Sequence, residues 1–221
     1  MIRSFLHKSS TSGIAGVGIQ PHASLVLGHN YEQNGDDVTG NYPLGWANGT
    51  SAYANNWAAQ GYGLTNFGSG GLSYFVNSAM NAVLEASTWT IAWHLRTGSN
   101  VATDSMLVGD GSTFAGFFFR INSGFLIQTN GGGINISYAW NPTINTNYHI
   151  ALTYQSSDFA RLYINGTEVA SSATTGQPTA GGTQYKLGHG LHSGYQIYDF
   201  GIWNINMNST QVGNIRNNLA P

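Results

Sequence analysis

The stretch NTNYHIALTYQSSDFARLYINGTEVAS (145–171) decides the fold. Tyr148, Ile150, Leu152 and Tyr154 alternate with His149, Ala151 and Thr153, the period of two shown by a strand with one buried face. RLYI and TEVA then flank Asn165-Gly166. Asn-Gly tolerates positive φ at both central positions of a tight turn, which makes it the strongest short-range hairpin signal. A strand leading into such a hairpin belongs to an antiparallel sheet.

The same signals recur on either side. ASLVLGH (23–29), LSYFV (72–76) and TWTIAWHL (88–95) read as strands, the last with Trp89, Ile91, Trp93 and Leu95 on one face. GFFFRI (116–121) and FLIQTN (125–130) flank a tight turn at Asn122-Ser-Gly124. QIYDFGIW (196–203) closes the set, with Tyr198, Phe200 and Ile202 on one face. The Gly-rich residues 41–71 read as loops with short strands. Only MNSTQVGNIRNNL (207–219) reads as a helix, capped by Asn208 or Ser209. Ten or more strands at this spacing predict an all-β sandwich or jelly roll. It occupies residues 22–221, behind an N-terminal arm, residues 1–21, that lacks clean periodicity.

Composition agrees and narrows the function. Only 7% of residues are charged, against about 25% in an ordinary globular chain. Thirty Gly, 23 Asn, 21 Ser and 19 Thr supply the surface instead, and these residues favour turns and strand faces over helices. A formal charge of −2 with seven Lys and Arg leaves no basic patch for a phosphate backbone, which excludes a nucleic-acid partner. The absence of Cys removes disulfides, thiolate metal sites and a Cys nucleophile. The opening MIRSFLHKSSTSG carries no apolar core of a secretory signal. No apolar run approaches the roughly 18 residues of a membrane helix, so membrane insertion is not expected.

Four stretches, in order, give the pattern a family likeness. STWTIAWHLRT (87–97) places a Trp after an alternating Thr/Ile run, and residues 145–171 follow a W-H-h-A-h-T-Y … h-Y-h-N-G core with Tyr148 in the Trp place. QYKLGHG (184–190) matches a strand ending in Leu-Gly, and GYQIYDFGIWNINMNSTQVGNI (194–215) a closing strand with a short helix. Upstream, NGDDVTGNYP (34–43) matches an acidic loop after the first strand, and TNFGSGGLSYFV (65–76) the strand pair after it. The chain thus resembles the laminin-G-like, concanavalin A-like lectin/glucanase jelly-roll superfamily. The resemblance implies a two-sheet antiparallel jelly-roll sandwich with a short C-terminal helix. The superfamily is diverse in function, so fold alone carries none over.

Many members hold one structural Ca²⁺ between the acidic loop and the Asp of the closing strand. The resemblance therefore implies Asp36, Asp37 and Asp199 as ligands, with Asn41 offering a carbonyl. The competing reading is a set of hydrogen-bonded turn and strand carboxylates without metal, because Ca²⁺ wants six to eight oxygens. Asp199, set in an apolar run, needs a metal, an Arg or backbone N–H groups as partner. His189 and His192 are three apart in a Gly-rich loop, too few ligands for Zn²⁺ without Cys.

Sugar recognition pairs a ring platform with amide and carboxylate hydrogen-bonders. YAWNPTINTN (138–147) places Trp140 beside Asn141 in a predicted loop, where the ring would be partly exposed, and WANGTSAYANNW (46–57) offers Trp46, Tyr53 and Trp57 among amides. With the rim loop of the family, the expected carbohydrate site is Trp140, Asn141, His192 and Tyr195. The alternative for each ring is a place in the core.

Catalysis is not expected. The related glucanases use an E-x-D-x-x-E strand, and none of the nine acidic residues here forms that spacing. No G-x-S-x-G elbow occurs. The expectation is a non-catalytic carbohydrate- or glycoprotein-binding adhesion module, displayed on the virion surface of a bacteriophage or otherwise outside a cell. Its partners would be a cell-surface glycan and, through residues 1–21, further copies or other particle proteins. A purely structural virion protein is the alternative, and a glycan hydrolase the third reading.

Overall fold

A computed structural model describes residues 19–20, 22–29, 39, 45–47, 52–57, 61–65, 72–75, 82–83, 85–98, 105–110, 118–121, 126–131, 134–176, 185–187, 196–217 and 219–221. They form fifteen strands and one helix. In chain order these are β1 (Leu25–His29), β2 (Gly45–Ala47), β3 (Ala52–Trp57), β4 (Gly61–Thr65), β5 (Leu72–Phe75), β6 (Thr88–Arg96), β7 (Ser105–Asp110) and β8 (Phe118–Ile121). There follow β9 (Leu126–Gly131), β10 (Ile134–Ala139), β11 (Asn147–Gln155), β12 (Phe159–Ile164), β13 (Thr167–Ala173), β14 (Tyr185–Leu187), β15 (Gln196–Trp203) and α1 (Ser209–Arg216).

The strands build two antiparallel sheets. The first runs β13-β12-β11-β6-β15-β4-β3, with β1 also paired to β15. The second runs β10-β9-β8-β7-β14-β5-β2. The hairpin expected at Asn165-Gly166 joins β12 to β13, with φ of 53° and 80° at the two turn residues. At Gly166 this conformation is free, while Asn is among the few other residues that adopt it readily.

The centre of the first sheet is β11 against β6, in unbroken register from Asn147↔Arg96 to Gln155↔Thr88. Its apolar face carries Trp89, Ile91, Trp93 and Leu95 from β6, and Ile150, Leu152 and Tyr154 from β11, all buried. Trp89 stacks on its cross-strand partner Tyr154 at 5.0 Å, and Trp93 meets Phe200 of β15 at 6.4 Å. Such pairs are the unit of sheet stabilisation.

The structure corrects the expectation of one buried face. Thr90, Ala92 and His94 of β6, and His149, Ala151 and Thr153 of β11, are buried as well. The reason lies in the cover. Ile19, Leu25, Ala92, Ala151, Tyr163, Trp203, Met207, Val212 and Ile215 make one apolar cluster, so α1 and the end of the arm lie on the outer face. The buried Thr90 hydroxyl pins that cover, donating to Ile205 O at 2.7 Å and accepting from Met207 N at 3.1 Å. Asn208 then caps α1. Its Oδ1 accepts from Gln211 N at 3.0 Å, and Gln211 Oε1 accepts from Asn208 N at 3.1 Å.

A second correction concerns β15. Its register to β6 is Tyr198↔His94 and then Gly201↔Ala92, so β15 spends one extra residue opposite Trp93. This is a β-bulge, and the alternation expected through Tyr198, Phe200 and Ile202 does not run continuously across it. Gly201 follows the bulge under the Trp203 ring. A Cβ there would overlap Trp203 Cη2 and lie 2.8 Å from its Cζ3 and 2.9 Å from Ile19 Cδ1. Two strands, β7 and β10, fall where the sequence reading placed none.

Candidate functional site

Among the described residues two places gather chemistry: the loop between β10 and β11, and the buried polar patch under α1. The loop begins at Trp140, where the expectation of a partly exposed ring is overturned. Trp140 is only 7% exposed, and its ring meets Tyr148 edge-on at 4.9 Å and 85°. It is an anchor rather than a platform. Tyr148 Oη accepts from Thr143 N at 2.8 Å. From the other side the buried Thr97 hydroxyl donates to Thr143 O at 2.6 Å and accepts from Thr146 N at 3.1 Å, while Asn145 N donates to Thr97 O at 3.1 Å. Held at both ends, the loop turns Asn141, Thr143, Ile144 and Asn145 to solvent, with Ile144 51% exposed. Asn145 takes the left-handed conformation, φ 54°. Of the expected carbohydrate-site residues, Trp140 and Asn141 are adjacent here, while His192 and Tyr195, with His189, lie outside the described residues. Trp46 falls on β2, and Tyr53 and Trp57 on β3.

The polar patch centres on Asp199. The bulge puts it at φ 46°, a conformation Asp tolerates better than most residues. Its Oδ2 lies 3.5 Å from His94 Nδ1. The His94 ring is 4.9 Å from that of His149 at an interplanar angle of 55°. All three residues are buried, at 7%, 7% and 3% exposure for His94, Asp199 and His149. Neither His94 Nδ1 nor His149 Nδ1 has a hydrogen-bond partner. Burial, then the neighbouring His94, then Arg216 hold the His149 imidazole well below its ordinary value of 6.5. The main chain of His149 is fixed by the hairpin turn, since His149 N donates to Asn165 Oδ1 at 2.9 Å. Arg216, in the last turn of α1, donates to Asn165 O at 2.8 Å.

A narrow, half-open cleft reaches this patch, lined by His94, His149, Asp199, Gln20, Trp203 and Leu219 among others. It holds on the order of one water. Among the described residues lining it, only the Gln20 side chain adds an oxygen to the Asp199 carboxylate; the rest bring imidazole nitrogen, indole and hydrocarbon. These described side chains do not by themselves make the oxygen cage Ca²⁺ requires. Among the described residues no three His, Asp or Glu side chains are placed to hold a metal. Asp36, Asp37 and Asn41, the partners expected for Asp199, lie outside the described residues. The sequence reading singled out Asp199 but not His94 or His149; the signal for these was their placement on the second face of two strands read as half-buried.

With this geometry in view, the likenesses to known proteins fall into place. Residues 69–213 match the Laminin_G_3 family model, described as the concanavalin A-like lectin/glucanases superfamily. The chain belongs to this superfamily. No curated protein matches it in sequence. Among solved structures it is similar to Trypanosoma rangeli sialidase in complex with sialic acid, with a TM-score of 0.67 and 17% identity, covering 89% of this chain and 33% of the sialidase. It is similar to the binding domain of Paraclostridial Mosquitocidal Protein 1, with a TM-score of 0.67, 15% identity, and coverage of 87% and 51%. The receptor binding domain of botulinum neurotoxin C/D mosaic serotype gives 0.66, 13%, 87% and 51%. The chain therefore spans a third of the sialidase and about half of each toxin domain. At these identities the likeness establishes the shared jelly-roll fold. Among the described residues no helix is long and apolar enough to cross a membrane.

Proposed function

We propose that the protein is a non-catalytic binding module for surface glycans or glycoproteins, and that the loop between β10 and β11 forms part of its binding surface. The observation that carries this reading is the loop's construction. Trp140, Tyr148 and Thr97 hold its backbone from inside, so the amides of Asn141 and Asn145 and the hydroxyl of Thr143 are offered to solvent on a fixed frame. Fixed polar groups beside apolar surface suit a sugar, which shows hydroxyls and an apolar face, and preorganisation reduces the entropic cost of binding. Ile144 supplies the apolar contact that Trp140, being buried, does not. Superfamily membership, a neighbour crystallised with sialic acid and two toxin binding domains support the class of ligand.

The same reading places the module on the outside of a bacteriophage particle. Its support is compositional: an uncharged Gly/Asn/Ser/Thr surface resembles that of phage tail and decoration proteins, an argument by analogy.

Binding of the folded chain to a panel of bacterial polysaccharides and sialylated glycans tests the first claim. Saturable binding is expected, weakened about tenfold by Asn141→Ala, the loss of one well-made hydrogen bond. No saturable binding, or binding untouched by Asn141→Ala and Ile144→Ala, overturns the loop as the site. Release of new reducing ends during incubation would overturn the non-catalytic assignment.

A further inference from the structure

We propose that His94, His149 and Asp199 form a proton-operated latch that holds α1 and the Ile19 segment on the outer face of the sheet, in place of the calcium site that the family resemblance implies for Asp199. The geometry supplies three arguments. Two imidazoles lie 4.9 Å apart, and neither buried Nδ1 makes a hydrogen bond. Among the described residues a carboxylate approaches only one of them, His94, at 3.5 Å. The patch sits where the sheet, α1 and the arm meet, at a cleft wide enough for about one water and so for a proton carrier.

The charges around His149 decide what a proton does there. From β6 it faces His94, from β15 the patch adds Asp199, and from α1 comes the Arg216 guanidinium. Among the described residues, the hairpin turn contributes the uncharged Asn165, and the arm Ile19 and Gln20. Asp199 is already engaged with His94, so a cation on His149 would meet a ring and a guanidinium and little compensation. Arg216 is also what ties α1 to the hairpin turn through Asn165 O. Protonating His149 therefore repels the residue that fastens the helix.

The sign follows from linkage. With α1 lifted, His149 meets water and takes its proton near the ordinary value of 6.5; closed, burial and its neighbours keep that proton off to lower pH. Between those two values the open form binds more protons, so each unit fall in pH below about 6.5 raises the opening constant up to tenfold. Above that window the latch is insensitive to pH.

Hydrogen exchange of residues 207–217 in the full chain, followed from pH 8 to pH 5 and corrected for intrinsic rates, tests the latch. The wild type is expected to show an opening constant flat above about pH 6.5 and rising toward tenfold per unit below it. His149→Gln should flatten the profile, and His22→Gln, altering an exposed ring, should leave the wild-type slope. A flat wild-type profile, or an unchanged slope in His149→Gln, overturns the proposal. Should His149→Gln not fold, NMR titration of the wild-type imidazole decides: a ring that titrates at its ordinary value while α1 stays protected also overturns it. Millimolar calcium against chelator at neutral pH should leave the unfolding midpoint unmoved. A calcium-induced rise that Asp199→Asn abolishes would return Asp199 to a cation and end the latch reading.

Discussion

The two faces of the β6–β11–β15 region are equally dry and differently built. Facing the second sheet, Trp89, Trp93, Tyr154 and Phe200 interlock ring against ring, with the Tyr154 hydroxyl donating to Gly176 O at the margin. Facing α1, the same strands bury Thr90, His94, His149, Thr153 and Asp199 between small apolar residues. The first face is a core in the usual sense, held by area removed from water. The second is a docking surface for a short helix and the arm, where each buried polar atom must be answered individually. Thr90 is answered twice; the Nδ1 atoms of the two imidazoles have no hydrogen-bond acceptor or donor. Burial alone therefore says little about how firmly a face is closed.

Substitutions can break that contrast in order of size. Trp93→Ala removes one of the two indole rings of the inner face and should cost about 3–5 kcal/mol, read as a drop in the denaturant midpoint. Gly201→Ala forces a methyl group into the Trp203 ring and Ile19 on the outer face. It should cost about 1–3 kcal/mol, the usual penalty for overpacking, and Trp203 fluorescence should report the displaced ring. If Gly201→Ala proved as costly as Trp93→Ala, the outer face would be as much a core as the inner. Asn208→Ala removes the cap of α1 and should cost about 1 kcal/mol. Hydrogen exchange should locate that loss in residues 209–216, with the central strands unaffected.

Much of this architecture was legible in the residues. The hairpin at Asn165-Gly166 follows from a dipeptide that fits only a few turns, and the apolar stripe of Trp89 to Leu95 from simple alternation. β10 was also within reach, because Ile134 and Ile136 alternate with exposed Asn135 and Ser137; the eye goes instead to the Trp140 that follows. The outer face was not legible in the same way. Nothing in the alternation of β6 distinguishes Thr90 and His94 in water from Thr90 and His94 beneath a helix, since that depends on where residues 205–216 fold back. The bulge at Asp199 was hidden for a similar reason. Its extra residue is visible only against the register of the neighbouring strand. Trp140 shows the limit for the candidate site: proximity to Asn and Pro marks a loop, but only tertiary packing against Tyr148 says which way the ring turns.

The position of β15 has a kinetic consequence. This strand pairs His94 with Tyr198 and Leu25 with Trp203, partners from early and late in the sequence, and it lies between β6 on one side and β1 and β4 on the other. Until residues 196–203 arrive, the first sheet is three separate pieces, β13-β12-β11-β6, β4-β3 and β1, with exposed edges. The local hairpins, such as β12–β13, can form early, but closing the sheet requires contacts of high sequence separation, and such topologies fold slowly. During that interval the open edges of β6 and β1 are the places where another chain could pair. The strand that carries Asp199 is thus also the one whose insertion closes the edges of β6, β4 and β1 against misassembly.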